Sequence, residues 1–173
     1  MLRLISSLLN RPVLSLQTSA PVAKTIGAII DPNKLQVVGF HVQSPSDTGS
    51  ILLCEDIREI SSVGIIIDRY DRIAHAEELV RLEKIINLNY KLIDKIVVGE
   101  SKQKYGKVSD YIVEEQTFYI ARLYTKQSVL KNLAGGAVVV DRAQIVEVTN
   151  KQVVIRDPLK GLKSGAAAAV AGG

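Results

Sequence analysis

Lys102, Lys104 and Lys107 crowd one short stretch of this chain, Gly99-Glu100-Ser101-Lys102-Gln103-Lys104-Tyr105-Gly106-Lys107, with Tyr105 among them. Ammonium groups clustered beside an aromatic ring can meet RNA phosphates or an acidic protein face. The glycines do not keep the G-x-x-x-x-G-K-[ST] spacing that wraps backbone amides around a phosphate, and a solvated hairpin connection is the competing reading. Other reactive types are sparse. His41 and His75 lie far apart with no C-x-x-C or H-x-x-x-H spacing, and the single cysteine, Cys54, follows Ile51-Leu52-Leu53 as a small apolar strand residue would. No strand-turn-helix elbow offers a serine to a histidine. Asp68, Asp71, Glu77 and Glu78 suggest an acid pair only loosely; a solvated linker running into the acidic first turn of a helix accounts for them better. No catalytic residue, metal ligand or cofactor site is therefore expected, and the lysine loop is the candidate interaction site.

The elements that would hold this loop are written twice. Ile57-Arg58-Glu59-Ile60 through Ile65-Ile66-Ile67-Asp68 returns as Ile145-Val146-Glu147-Val148 through Val153-Val154-Ile155-Arg156. Two shorter matches keep the same order: Gly27-Ala28-Ile29-Ile30-Asp31 with Gly106-Lys107-Val108-Ser109-Asp110, and Leu8-Leu9-Asn10 with Ile85-Ile86-Asn87. Collinear matches over this length indicate a folding unit copied whole, not a short solenoid repeat. On this alignment Gly27 and Gly106 are equivalent turn glycines opening the first hairpin of each copy.

Composition fits two small β-rich units. Hydrophobic residues make up 47% of the chain, yet aromatics only 5% and Trp is absent, so the core must be built from Val, Ile and Leu, which favour strands. One cysteine excludes an intrachain disulfide and fits a reducing, cytoplasmic setting. Charge divides unevenly: residues 1–79 carry seven Lys and Arg against nine Asp and Glu, and residues 80–157 carry thirteen against nine. An anionic partner should prefer the basic second copy. The first residues resemble a targeting peptide, with no acid before Asp31 and Thr18-Ser19-Ala20 as a processing site. Their recurrence as Arg81-Leu82 through Asn87 argues instead that they belong to the first unit. No apolar run approaches the ~20 residues of a membrane span.

Turn chemistry divides each copy into short strands. Ile26 to Ile30 runs through Asp31-Pro32-Asn33-Lys34, where Asn33 suits a left-handed geometry, into Leu35 to Val42, and Val108 to Val113 returns through Glu114-Glu115-Gln116 into Thr117 to Leu123. Ile51 to Cys54 and Ala137 to Val140 are short apolar strands, and the matched Ile57 and Ile145 segments form final hairpins. Five or so strands in about 80 residues predict a small antiparallel barrel in each copy. The resulting layout is a first barrel over 1–73, a connector helix over 74–86, a second barrel over 87–158 and a low-complexity, disordered tail over 159–173. The connector follows from the helical spacing of Ala76, Leu79, Val80, Leu82 and Ile86 against a charged face. An insert around Gln127 to Leu133 predicts a further turn or two of helix. The two barrels should fold separately.

The glycine-led entry Gly106-Lys107-Val108-Ser109-Asp110, a distal apolar strand, a short acidic turn and the Ile-x-Glu-Val/Ile hairpin together resemble the PRC-barrel family. This family includes the cytoplasmic domain of the photosynthetic reaction-centre H subunit and the C-terminal domain of the ribosome maturation factor RimM. The resemblance covers both copies and implies a non-enzymatic docking module. The expected function is thus an adaptor that binds a protein partner through tandem PRC-like barrels. An RNA- or ribosome-associated assembly factor acting through Lys102, Lys104, Tyr105 and Lys107 of the basic copy is the alternative.

Overall fold

A computed structural model describes residues 1–45, 47–127 and 137–158. The described residues are mainly β, 53% strand and 17% helical, with two mixed seven-stranded sheets, one of them a half-barrel. β1 (Leu2–Leu4) comes first, followed by β2 (Pro12–Ser15), β3 (Ala20–Asp31), β4 (Gln36–Ser44), β5 (Asp47–Leu53), β6 (Ile57–Ile60), β7 (Ile65–Ile67) and β8 (Ile73–His75). The first sheet runs β6-β7-β2-β3-β4-β5-β8, antiparallel except where β2 lies parallel to β7. After α1 (Glu83–Leu88) come β9 (Ile96–Gly99), β10 (Lys104–Glu114), β11 (Ile120–Lys126), β12 (Val139–Asp141), β13 (Ile145–Val148) and β14 (Gln152–Ile155). They form the second sheet in the order β12-β11-β10-β9-β14-β13, again with one parallel pair, β9 and β14. Among the described residues the end strands of neither sheet pair with each other, so each sheet is open.

Strand pairing fixes the equivalences between copies. Val13 lies beside Ile65 and Val97 beside Val153, while Thr25 faces Val42 and Val108 faces Thr125. The match of residues 57–68 with 145–156 holds. The two shorter matches do not. Asn10 donates from N to Thr25 O (2.8 Å) and Thr25 N donates to Arg11 O (2.9 Å); in the second copy Asp94 N donates to Val108 O (2.8 Å) and Val108 N to Lys95 O (2.9 Å). Leu8-Leu9-Asn10 therefore corresponds to Leu92-Ile93-Asp94, with Asn10 and Asp94 both left-handed at φ 59° and 67°. Gly27 corresponds to Asp110, since both follow the same bulge, and Gly106 to Ala23. Strands β2 and β9, which these shifts locate, were not anticipated. Asp31, not Asn33, organises the first hairpin turn: its Oδ1 accepts from Asn33 N (3.0 Å), and Leu35 is the left-handed residue at φ 50°.

The copies are interlocked. Val37 N donates to Phe118 O and Ile120 N to Leu35 O, both at 2.9 Å. Val37 and Ile120 are equivalent, as are Leu35 and Phe118, the latter pair left-handed at φ 50° and 55°. The hairpin tips thus exchange a reciprocal pair of bonds about a local twofold, with Gln36 and Tyr119 bridged to each other on it. Leading segments cross over too. β1 pairs antiparallel with β10 of the other copy, and α1 packs on β3. Arg3 pairs with Glu115 (3.0 Å), and Phe40 meets Phe118 edge-on at 6.2 Å. One buried aliphatic cluster extends from Ile5 and Leu8 through Phe40, Tyr111 and Leu123 to Ile155. Residues 2–4 belong to the second sheet and Ile73–His75 to the first, so the boundary at residue 73 divides neither sheet cleanly.

The helix expected over 74–86 is shorter and later. Ile73–His75 is strand, Ala76–Glu78 and Val80–Leu82 are single 3-10 turns, and only Glu83–Leu88 is α-helical. Pairing with β5 holds the start of this segment extended: Ile51 lies opposite Ala74 and Leu52 opposite Ile73. Asn89 closes the helix in a left-handed C-cap at φ 45°. No helix among the described residues is long and apolar enough to cross a membrane. The helical insert expected around 127–133 falls almost wholly, and the tail 159–173 wholly, outside the described residues.

Candidate interaction surfaces

Asp157 organises the lysine loop between β9 and β10. Its carboxylate accepts from Ser101 N (2.9 Å), Ser101 Oγ (2.8 Å) and the Tyr105 hydroxyl (2.8 Å). The Ser101 bonds, with Tyr105 after them, hold its pKa below the ordinary 3.8, while burial and the hydrogen bond to Asp157 push the pKa of the Tyr105 hydroxyl up. Gly99 N donates to Gln103 O and Lys102 N to Gly99 O, each at 2.8 Å, with Lys102 left-handed at φ 67°. Lys102 sits on the exposed turn, whereas Lys104 and Lys107 are already in β10, opposite Val98 and Ile96. The loop is closed by its own hydrogen bonds, and its amides do not converge on a shared anion cradle. Gly99 allows the close approach of Asp157, whose Oδ1 lies 1.8 Å from where a Cβ would stand.

Elsewhere the reactive types are spread through the fold. His41 lies in β4 opposite Gly27, its protonation disfavoured by burial and by Lys91. Cys54 begins the 3-10 turn after β5, where burial pushes its thiol well up and disfavours the thiolate. Asp68 pairs with Arg58 and Asp71 with Arg69, each at 2.7 Å, and the Glu78 carboxylate accepts from His75 N (3.1 Å). Among the described residues no three His, Cys, Asp or Glu side chains group as metal ligands would.

The copies differ in two equivalent grooves. In the first, Val37, Val38, Leu53 and Cys54 form a wall across which the linker lays Glu78 to Leu82. The second is lined by Ile120, Ala121 and Arg142 at the matching positions, joined by Leu2, Lys34, Glu114 and Tyr119. Arg142 donates to Lys34 O (2.6 Å) and Leu35 O (2.9 Å) and lies 4.9 Å from the centre of the Tyr119 ring. Beside the first groove Ile51 is 0% exposed, covered along its edge by β8; its equivalent Val139 on β12 is 44% exposed. This contrast was not legible in sequence, where both positions are simply β-branched residues in apolar strands. The chain matches no family model and no curated protein.

Proposed function

We propose that this chain is a non-enzymatic adaptor, a tandem of PRC-barrel-like units whose second unit binds an acidic protein partner. The observation carrying this reading is the unequal covering of equivalent surfaces, Ile51 buried beneath the linker and Val139 open. An apolar edge and groove that are covered in one unit and exposed in its copy leave the second unit with surface to give to another chain. The excess of Lys and Arg in residues 80–157 favours an acidic partner. The PRC-barrel resemblance of the sequence motifs supports docking in place of catalysis.

RNA binding through Lys102, Lys104 and Lys107 is the second reading, favoured by the same basic charge. Against it, Tyr105 is tethered through its hydroxyl to Asp157, and the cations are lysines without the planar fork that grips phosphates. Filter binding of the full chain to single-stranded RNA at physiological salt separates the two. The adaptor reading expects dissociation constants weaker than about 1 µM and little change when all three lysines become Glu. Sub-micromolar, lysine-dependent binding would overturn it.

A further inference from the structure

Building on the adaptor reading, we propose that the outer edge of β12 is a strand-addition site, taking an extended acidic segment of the partner antiparallel, with apolar side chains following it into the groove between Leu2, Tyr119 and Ala121. The chain supplies the template. In the first unit β8 adds to β5 with Ser50 opposite His75, Ile51 opposite Ala74 and Leu52 opposite Ile73, and the next residues deliver Leu79, Val80 and Leu82 to the adjoining groove. Strand for strand, the accepting residues in the second unit are Val138, Val139 and Val140.

Backbone polarity agrees. Thr125 N donates to Val138 O (3.0 Å), and Leu123 lies opposite Val140, so the alternation of an antiparallel ladder turns the N–H and C=O of Val139 and Asp141 away from β11. Among the described residues no strand pairs with that side. An edge strand with outward backbone groups and an exposed valine is what β-augmentation uses: main-chain bonds supply affinity and side-chain pockets supply selectivity.

Charge sets the occupant's character. Lys34 and Arg142 line the groove against one acid, Glu114, and Arg122 stands beside β12 in a 3.6 Å pair with Asp141. The segment that fills the first groove carries Glu77 and Glu78 between its strand and its apolar anchors. The chain's own tail matches the template poorly by sequence, with Gly161-Leu162-Lys163 where the linker has Ile73-Ala74-His75, and a glycine and a lysine suit neither strand pairing nor a basic groove.

The test titrates the full chain into a fluorescent, end-blocked peptide with the sequence of residues 71–82, followed by anisotropy, alongside the Val139→Pro and Val139→Asp variants. Val139→Pro removes an outward N–H without touching the ladder to β11; Val139→Asp keeps the backbone and sets an acid against the peptide. Saturable binding by the parent chain, weakened about tenfold or more in both variants at unchanged melting temperature, supports the site. If one variant melts early, the other decides. No saturable binding up to about 1 mM, or binding by both variants as tight as the parent chain's, overturns it. So does slowed exchange of the Val139 amide in the free chain that is lost on removing residues 159–173, because the tail would then hold the edge. Concentration-dependent dimerisation abolished by Val139→Asp overturns it too, in favour of a second copy. A partner that cross-links to the second unit away from β12 would sink this site and leave the adaptor reading standing.

Discussion

Gly106 adopts φ +103°, and a Cβ there would stand 2.5 Å from the carbonyl oxygen of Lys126. Both the left-handed backbone and the close approach require glycine. Gly106→Val should cost about 1–3 kcal/mol, read as a shift in the denaturation midpoint. Gly27, which sequence comparison made its partner, has only His41 Cδ2 at 3.8 Å from the same position, and Gly27→Ala should change stability by no more than ~0.5 kcal/mol. The glycine was legible at one site and spurious at the other because a weak apolar pattern aligns at several offsets, and only strand pairing selects among them. Asp157 gives a pH prediction at the same scale. Its folded pKa lies below its ordinary 3.8, so its contribution to holding the loop is fully present above pH 3.8 and is lost as pH falls through the lower folded value. The Ser101 amide resonance should therefore titrate with a midpoint below 3.8, and Asp157→Asn should abolish that titration. A midpoint at or above 3.8 would show that the loop does not depend on the carboxylate.

At the level of elements, the two long hairpins and the final hairpins could be read from turn residues and alternating β-branched positions, since their order is local. The linker could not. Ala76, Leu79, Val80 and Leu82 have helical spacing, but β5 offers an unpaired edge and the groove beside it accepts those apolar side chains, so tertiary pairing overrides local preference. Strands β2 and β9 went unread for a related reason: each lies parallel to the second strand of its unit's final hairpin, a pairing that no turn announces. Arg142 joins elements across the interface. Its guanidinium bonds Lys34 O and Leu35 O at one hairpin tip and packs on Tyr119 of the other. Arg142→Met keeps most of the stem and removes these bonds, and it should lower stability by about 2 kcal/mol in chemical denaturation, hydrogen bonds to charged groups being worth that much. An unchanged midpoint would mean that water replaces the guanidinium without loss.

For the whole molecule, duplication was legible and interlocking was not. Sequence repeats report that a unit was copied; they carry no trace of β1 crossing into the second sheet or of hairpin tips trading bonds. Those contacts make separate folding unfavourable. A chain beginning at residue 74 lacks β1 and exposes Phe118, so it should show no cooperative transition under conditions where the full chain unfolds in one step. A sharp transition in the shorter chain would show that the units need no shared core. The proposed adaptor function turns on the way this near-symmetric body departs from symmetry, with one edge covered by the linker and its equivalent open among the described residues. Amide hydrogen exchange on the free, full-length protein tests that departure directly. The Ile51 amide, facing β8, should exchange only with global unfolding, and the Val139 amide, facing outward from β12, should exchange faster by about a hundredfold or more. Equal protection at the two positions would mean that the second edge is already occupied within the chain, contradicting the account.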